Sequence, residues 1–198
     1  MGISPEKLNY AQIKEIAEGF LKKYHPDLSV PVPVDDIAEL KLGFGLVTIP
    51  LLKSSFDIDG FINSTFDQIT IDDDIFNLYE ERSRFTIAHE LGHWVLHSSI
   101  YSRFKIQTPD NYLDFQNRIT EEDQKWLEIQ ANIFAACFLV PTSKLKEEFS
   151  LTLKEEMVPS GASEEYFIPL LEQFPLKFKV SWAVLYRRMQ KEGLIKDL

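Results

Sequence analysis

Apolar residues recur at three- and four-residue intervals from Pro5 to Tyr24, where Leu8, Ile13, Ile16, Ala17, Phe20, Leu21 and Tyr24 fall on one face. The spacing predicts an amphipathic helix, with Ser4 as N-cap and Pro5 at the first helical position. His25 follows before Pro26 and is expected to serve the terminal carbonyls rather than a metal. Val30-Pro-Val-Pro-Val-Asp reads as extended, because each proline biases its predecessor away from the α region. Val34 to Leu42 then reads as a short helix stopped by Gly43. Phe44 to Ile49, ended by Pro50, has the β-branched and apolar content of a strand, and Ile58–Asn63 and Gln68–Ile71 read as a strand pair joined by Ser64 to Asp67. Together these predict a small sheet of three strands, largely antiparallel. Asp72-Asp-Asp74 lacks the alternation and central glycine of a calcium loop, and is expected to be a solvated turn into the next helix.

Helical spacing returns from Tyr79 to His97, with Ala88, Leu91 and Val95 on one stripe, His89, His93 and His97 on another, and Trp94 at the rim. Residues 98 to 119 look irregular, with Pro109-Asp-Asn111 as a turn in a loop over the cleft. Thr120 caps a helix that opens with acids and runs to Val140 before Pro141. A polar helix from Thr142 to Phe149 and the stretch Val158-Pro-Ser-Gly-Ala-Ser163 lead into a last unit, where Lys179 to Leu194 reads as a helix capped by Ser181 and stopped by Gly193. The pattern is that of an α+β protein, in two parts: a main domain over residues 1–150 and a small helical subdomain over 151–198.

Composition narrows the classes. The chain has 198 residues, 44% hydrophobic and 26% charged, as in a folded globular protein. No apolar run approaches the roughly 20 residues of a membrane span, and Met1-Gly-Ile-Ser-Pro-Glu-Lys lacks the pattern of a leader, so a cytoplasmic location without membrane contact is expected. Cys137 is the single cysteine, which leaves no disulfide within the chain and confines a metal site to nitrogen and oxygen donors; it reads as a core residue. A formal charge of −10 disfavours direct nucleic-acid binding and makes a basic partner the easier expectation. The end of the chain runs against that charge: from Leu176 onward there are six Lys or Arg against two acids. Those basic residues read as the solvated face of a helix packed through Trp182, Leu185 and Met189; a recognition helix is the competing reading.

The chemistry concentrates in His89-Glu90-Leu91-Gly92-His93. Two histidines four apart on a helix differ by about 40° in rotation and lie one turn apart, so both rings reach one ion. Glu90, about 100° round from His89, stands beside that ion as a general base. His97 lies a further turn along and is expected to pack or to hydrogen-bond rather than to coordinate. The position ten residues after the first histidine is Ser99, so the third ligand must come from another element. Glu128, in an increasingly apolar helix, is a carboxylate in need of a partner, and a metal is a good one.

Arg84 to His97, followed by Glu128-Ile-Gln-Ala-Asn-Ile-Phe-Ala-Ala and Leu139-Val-Pro141, closely resembles the ImmA/IrrE family of zinc metallopeptidases, over roughly residues 30 to 141. The resemblance implies a zincin-like fold with the small sheet beside the HEXXH helix. It also implies His89, His93 and Glu128 as zinc ligands, Glu90 as catalytic acid/base, and a helix-turn-helix repressor of a mobile element or stress response as substrate. Gln130 stands where the family commonly has an acid, and Val140 where Met is frequent. Imidazole and carboxylate ligands would also accept Mn2+, Fe2+ or Co2+. The competing class is a non-enzymatic regulator that binds DNA or a protein through its basic C-terminal helix; the intact Glu90 argues against it.

Overall fold

A computed structural model describes residues 4–156, 166 and 168–195; the expected linker Val158–Ser163 lies outside the described residues. Helix α1 (Tyr10–Tyr24) buries Ile13, Ala17 and Leu21. It begins later than Pro5 because Asn9 and Gln12 cap it reciprocally, the Asn9 side chain accepting from the Gln12 backbone and Gln12 from that of Asn9. A short helix α2 (Val34–Asp36) continues as a π turn over Ile37–Lys41, and Gly43 at φ +80° ends it as its sequence predicts.

Strand β1 (Gly45–Ile49), helix α3 (Leu52–Phe56), strand β2 (Gly60–Ile62) and strand β3 (Gln68–Asp72) follow. The sheet order is β1-β3-β2, with β3 parallel to β1 and antiparallel to β2. The sheet is therefore mixed, not largely antiparallel: α3 and β2 intervene between β1 and β3 and carry the chain back, so that β3 enters alongside β1 in the same direction. Its central place explains why Ile69, Thr70 and Ile71 are all buried. The acidic run also departs from expectation. Asp72 is buried and caps helix α4 (Asp73–Leu78), accepting from the backbone of Ile75 and of Lys53.

Helix α5 (Glu80–Tyr101) runs through the middle of the molecule, with β2 and β3 on one side and helix α7 (Glu121–Leu139) on the other. Trp94 does not sit at the cleft rim; it fills the gap between Phe20 and Phe44, their ring centroids 6.0 and 5.2 Å away. Residues 98 to 119 are not a loop. After α5 extends to Tyr101, Thr108 caps helix α6 (Pro109–Arg118), whose first position is a proline. That signal was present in Thr-Pro-Asp but was outweighed by the turn-forming reading of the same residues.

Past α7, helix α8 (Thr142–Glu155), a 3-10 turn at Ile168–Leu171, helix α9 (Phe174–Phe178) and helix α10 (Trp182–Lys191) complete the described chain. Leu185 and Met189 of α10 are buried, as is Cys137 in α7. Arg188, fully enclosed, donates to the Val140 carbonyl and to Thr142 Oγ1 at 2.8 Å, pairs with Glu192 at 2.9 Å and meets the Tyr10 hydroxyl. Among the described residues no helix is long and apolar enough to cross a membrane.

Two glycines set the spacing around α5. A Cβ on Gly60 would lie 2.7 Å from both the Thr70 carbonyl oxygen and Thr86 Cγ2, so the strand touches the helix where only glycine fits. A Cβ on Gly92 would lie 3.2 Å from Ala131 Cα and O and from Phe134 Cβ, so α5 and α7 meet almost backbone to backbone. Alanine in a helix interior normally gains roughly 1 kcal/mol over glycine, but overpacking against backbone costs about 1–3 kcal/mol. Gly92→Ala should therefore lower stability by about 1 kcal/mol in urea denaturation; a rise in stability would show that the two helices have room to part.

Candidate active site

The helical register of α5 points His89 and His93 to one side, and the contact at Gly92 brings α7 close enough for Glu128, one turn before Ala131, to meet them. The Nε2 atoms of His89 and His93 are 2.9 Å apart. Glu128 straddles them, with Oε2 3.2 Å from His89 Nε2 and Oε1 3.4 Å from His93 Nε2. His93 is enclosed, His89 keeps 14% of its side chain accessible, and Glu128 39%, so the trio lies at the bottom of a cleft.

Glu90 is near the same point, its ligand-capable atoms within 4.8 Å of those of both histidines. By distance alone either carboxylate could join the pair. Their environments separate them: Glu90 is buried and its Oε2 accepts the Ile62 backbone N–H at 2.9 Å, which anchors the carboxylate to strand β2, whereas Glu128 bridges both imidazoles. Burial holds Glu90 above the usual carboxylate range, against the opposing pull of His93 and His89. Burial would likewise raise Glu128, but hydrogen bonds from His89 and His93 hold it well below that range. His89 shows the counterpart: burial favours the neutral ring, yet Glu128 overrides it and raises the pKa to about 9.

The outer ring nitrogens tell which protons are where. His89 Nδ1 lies 3.1 Å from Asn132 Oδ1, to which it donates. His93 Nδ1 lies 3.1 Å from His97 Nδ1, and only one of the two can carry a proton. Burial and the neighbouring His93 hold His97 down at about 3, so its ring is neutral. The Gln130 amide nitrogen donates to the Glu6 carbonyl at 2.9 Å, which turns Oε1 toward His97 and makes Gln130 an influence on that ring. His97 Nε2 and Gln130 Oε1 are both buried without a hydrogen-bond partner among the described residues, a donor and an acceptor that complement each other. A proton on His97 Nε2 would face that oxygen and leave His97 Nδ1 to accept from His93 Nδ1. With the Nδ1 atoms turned to Asn132 and His97, the Nε2 atoms face Glu128; a divalent metal that displaced their protons would find two imidazole nitrogens and a carboxylate there.

The residues that sequence reasoning named for the site come together: His89, Glu90 and His93 form a cluster that could hold a metal, and Glu128 lies across the two rings. His97 touches His93 from behind, as expected of a hydrogen-bonding partner. Gln130, to which the sequence assigns no chemistry, lies behind His97 and is held by the Glu6 carbonyl. The cleft above, about 260 Å³, is lined also by Asp59, Gly60, Thr86 and Tyr112. Burial keeps the Tyr112 phenol protonated well above its usual range. Tyr112 was missed with its helix; Asn132 could have been found, since it lies one turn after Glu128 on the same face of α7. Strand β3 is central in the sheet, and β2 is the edge strand at the cleft.

A helix carrying His-Glu-x-x-His, a carboxylate from a crossing helix and a small sheet at one side define a zincin-like α+β protein. Residues 43–190 match the Peptidase_M78 family model, described as the IrrE N-terminal-like domain, and the chain belongs to that family, whose members are metallopeptidases of the ImmA/IrrE type. No curated protein matches it. Among solved structures it is similar to a Mycobacterium tuberculosis transcriptional regulator, with a TM-score of 0.54 at 14% identity, over 90% of this chain and 47% of that one. The chain thus spans about half the length of that relative, and the likeness concerns the fold alone.

Gln130→Leu removes the buried oxygen that complements His97 Nε2 and leaves the ring to take either tautomer. Zinc affinity, measured by competition with a chromophoric chelator, should fall about tenfold or more; an unchanged affinity would mean that the chain behind His93 does not orient it.

Proposed function

We propose that the protein is a zinc-dependent endopeptidase whose substrate is a helix-turn-helix transcriptional repressor. The observation that carries the enzymatic part is the division of labour between two carboxylates: Glu128 bridges His89 and His93, while Glu90 is held beside them by the Ile62 N–H. A structural metal site has no use for that second carboxylate. His89, His93 and Glu128 would hold a zinc ion, which would supply Lewis acidity toward water and the scissile carbonyl.

The chain's own residues do the rest. Glu90 has one oxygen engaged by Ile62 and the other free to take a proton from the attacking water, and burial raises its basicity for that task. The same carboxyl then returns the proton to the leaving amine. The edge of β2, at Gly60, offers backbone groups on which an extended substrate segment can pair as an added strand. The Tyr112 phenol, kept protonated, offers a hydrogen-bond donor at the opposite wall. The repressor as substrate is supported by the ImmA/IrrE membership. Such a substrate puts the reaction in the cytoplasm.

Glu90→Gln should retain zinc, read by elemental analysis, and lose about 10²–10⁴ of the cleavage rate on repressors encoded beside the gene, read by mass spectrometry of the products. Undiminished cleavage by the metal-loaded variant would remove Glu90 from the mechanism.

A further inference from the structure

Phe85 and Asn132 line the catalytic cleft on one face and a second, larger groove of about 770 Å³ on the other. Helix α10 forms one side of this groove with Ala183, Val184, Arg187 and Lys191; α5 and α7 form the other with Phe85, Ile133 and Ala136. Its floor is apolar, and its basic residues fall into two kinds. Arg82 is neutralised by a two-pronged contact with Asp59 at 2.7 and 2.9 Å, and Arg188 by Glu192 at 2.9 Å. Arg187 has no ion pair or side-chain hydrogen bond among the described residues, and Lys191 only a position 5.9 Å over the Tyr10 ring. Glu81, the acid among the lining residues, sits in the first turn of α5, where it complements the helix N-terminus. In a chain of net charge −10, two uncommitted cations on an apolar groove that shares a wall with the catalytic cleft are a local inversion of sign.

We propose that this groove selects the substrate, taking a segment that carries an apolar side chain with carboxylates beside it. The inference rests on the peptidase reading above and adds to it the chemistry of the recognised segment. The apolar group would lie on Phe85, Ile133, Ala136 and Val184, which supplies most of the affinity through burial. The carboxylates would meet Arg187 and Lys191, which decides between sequences more than it tightens binding. Recognition remote from the scissile bond lets a shallow catalytic cleft act selectively. An acidic segment reverses the expectation of a basic partner drawn from net charge: what matters is the charge at the groove, where α10 presents Arg187 and Lys191. Duplex DNA is the less fitting occupant, because phosphate recognition depends on many cations along a surface and the groove offers two.

The test uses the full chain, zinc-loaded and carrying Glu90→Gln so that bound peptide stays intact. It is titrated with short fluorescein-labelled peptides of alternating Leu and Glu, with the same peptides bearing Lys for Glu, and with a short duplex DNA. The acidic peptides should bind about tenfold more tightly than their lysine counterparts. Arg187→Glu with Lys191→Glu should erase the preference, and Ala136→Trp, which fills the floor, should weaken both. Arg187→Gln with Lys191→Gln, checked by thermal melting, gives the same direction without charge reversal. Equal binding of the two peptide sets, or a preference that survives these changes in folded protein, would overturn the proposal. So would DNA binding tighter than that of any peptide and lost in the charge variants. Hydrolysis of the same peptides by the wild-type protein is followed separately. Acidic-selective binding without hydrolysis keeps the groove and counts against the peptidase reading; hydrolysis indifferent to the groove variants does the reverse.

Discussion

The close approach of α5 and α7 at Gly92 and Ala131 is the constraint on which the site depends. His89 and His93 are one turn apart on a single helix and face the same way by helical geometry alone, but a third donor has to come from elsewhere and arrive within reach of both rings. With no side chain at position 92, the second helix lies against the first, and Glu128 meets both Nε2 atoms at 3.2 and 3.4 Å. Gly60 does the same on the opposite side. It lets β2 touch α5, which brings the Ile62 N–H to 2.9 Å from Glu90. The glycines in this region thus set distances, and the distances separate the carboxylate that bridges the histidines from the one left free for proton transfer.

Around that geometry, burial and charge work against each other, and the winner differs at each residue. Glu128 sits between two imidazoles, which overcome burial and keep it ionised; Glu90, anchored to a backbone amide and further enclosed, is pushed the other way. His97 is deep enough that burial wins outright, and its neutrality is what allows it to accept from His93. Gln130 presents a buried oxygen to the far side of that ring; a carboxylate at position 130 would place a full charge there instead.

Much of this was legible in the sequence, and the exceptions have physical causes. The HEXXH register and the Glu128 helix could be read because a 3.6-residue period fixes which side chains share a face. Strand pairing could not: the runs at 44–49, 58–63 and 68–71 were located, but their order depends on how α3 and β2 carry the chain, which no local pattern encodes. Helix α6 was hidden because Thr-Pro-Asp-Asn serves equally as a turn or as a cap with proline at the first helical position. With it went Tyr112, a wall of the cleft. Gln130 was passed over because its role arises from contacts with His97 and with Glu6, far away in the chain. The C-terminal helix was read as packing through Leu185 and Met189, and it does; that its other face borders the catalytic region follows only from the fold.

The proposed ligand set of His89, His93 and Glu128, with Glu90 left out, is open to a direct test in crystals grown with zinc and measured on both sides of the zinc absorption edge. One anomalous peak in coordination contact with His89 Nε2, His93 Nε2 and a Glu128 oxygen is expected, with Glu90 still bonded to the Ile62 N–H. A peak ligated by Glu90 with Glu128 turned away, or no peak between the two histidines, would rule that ligand set out.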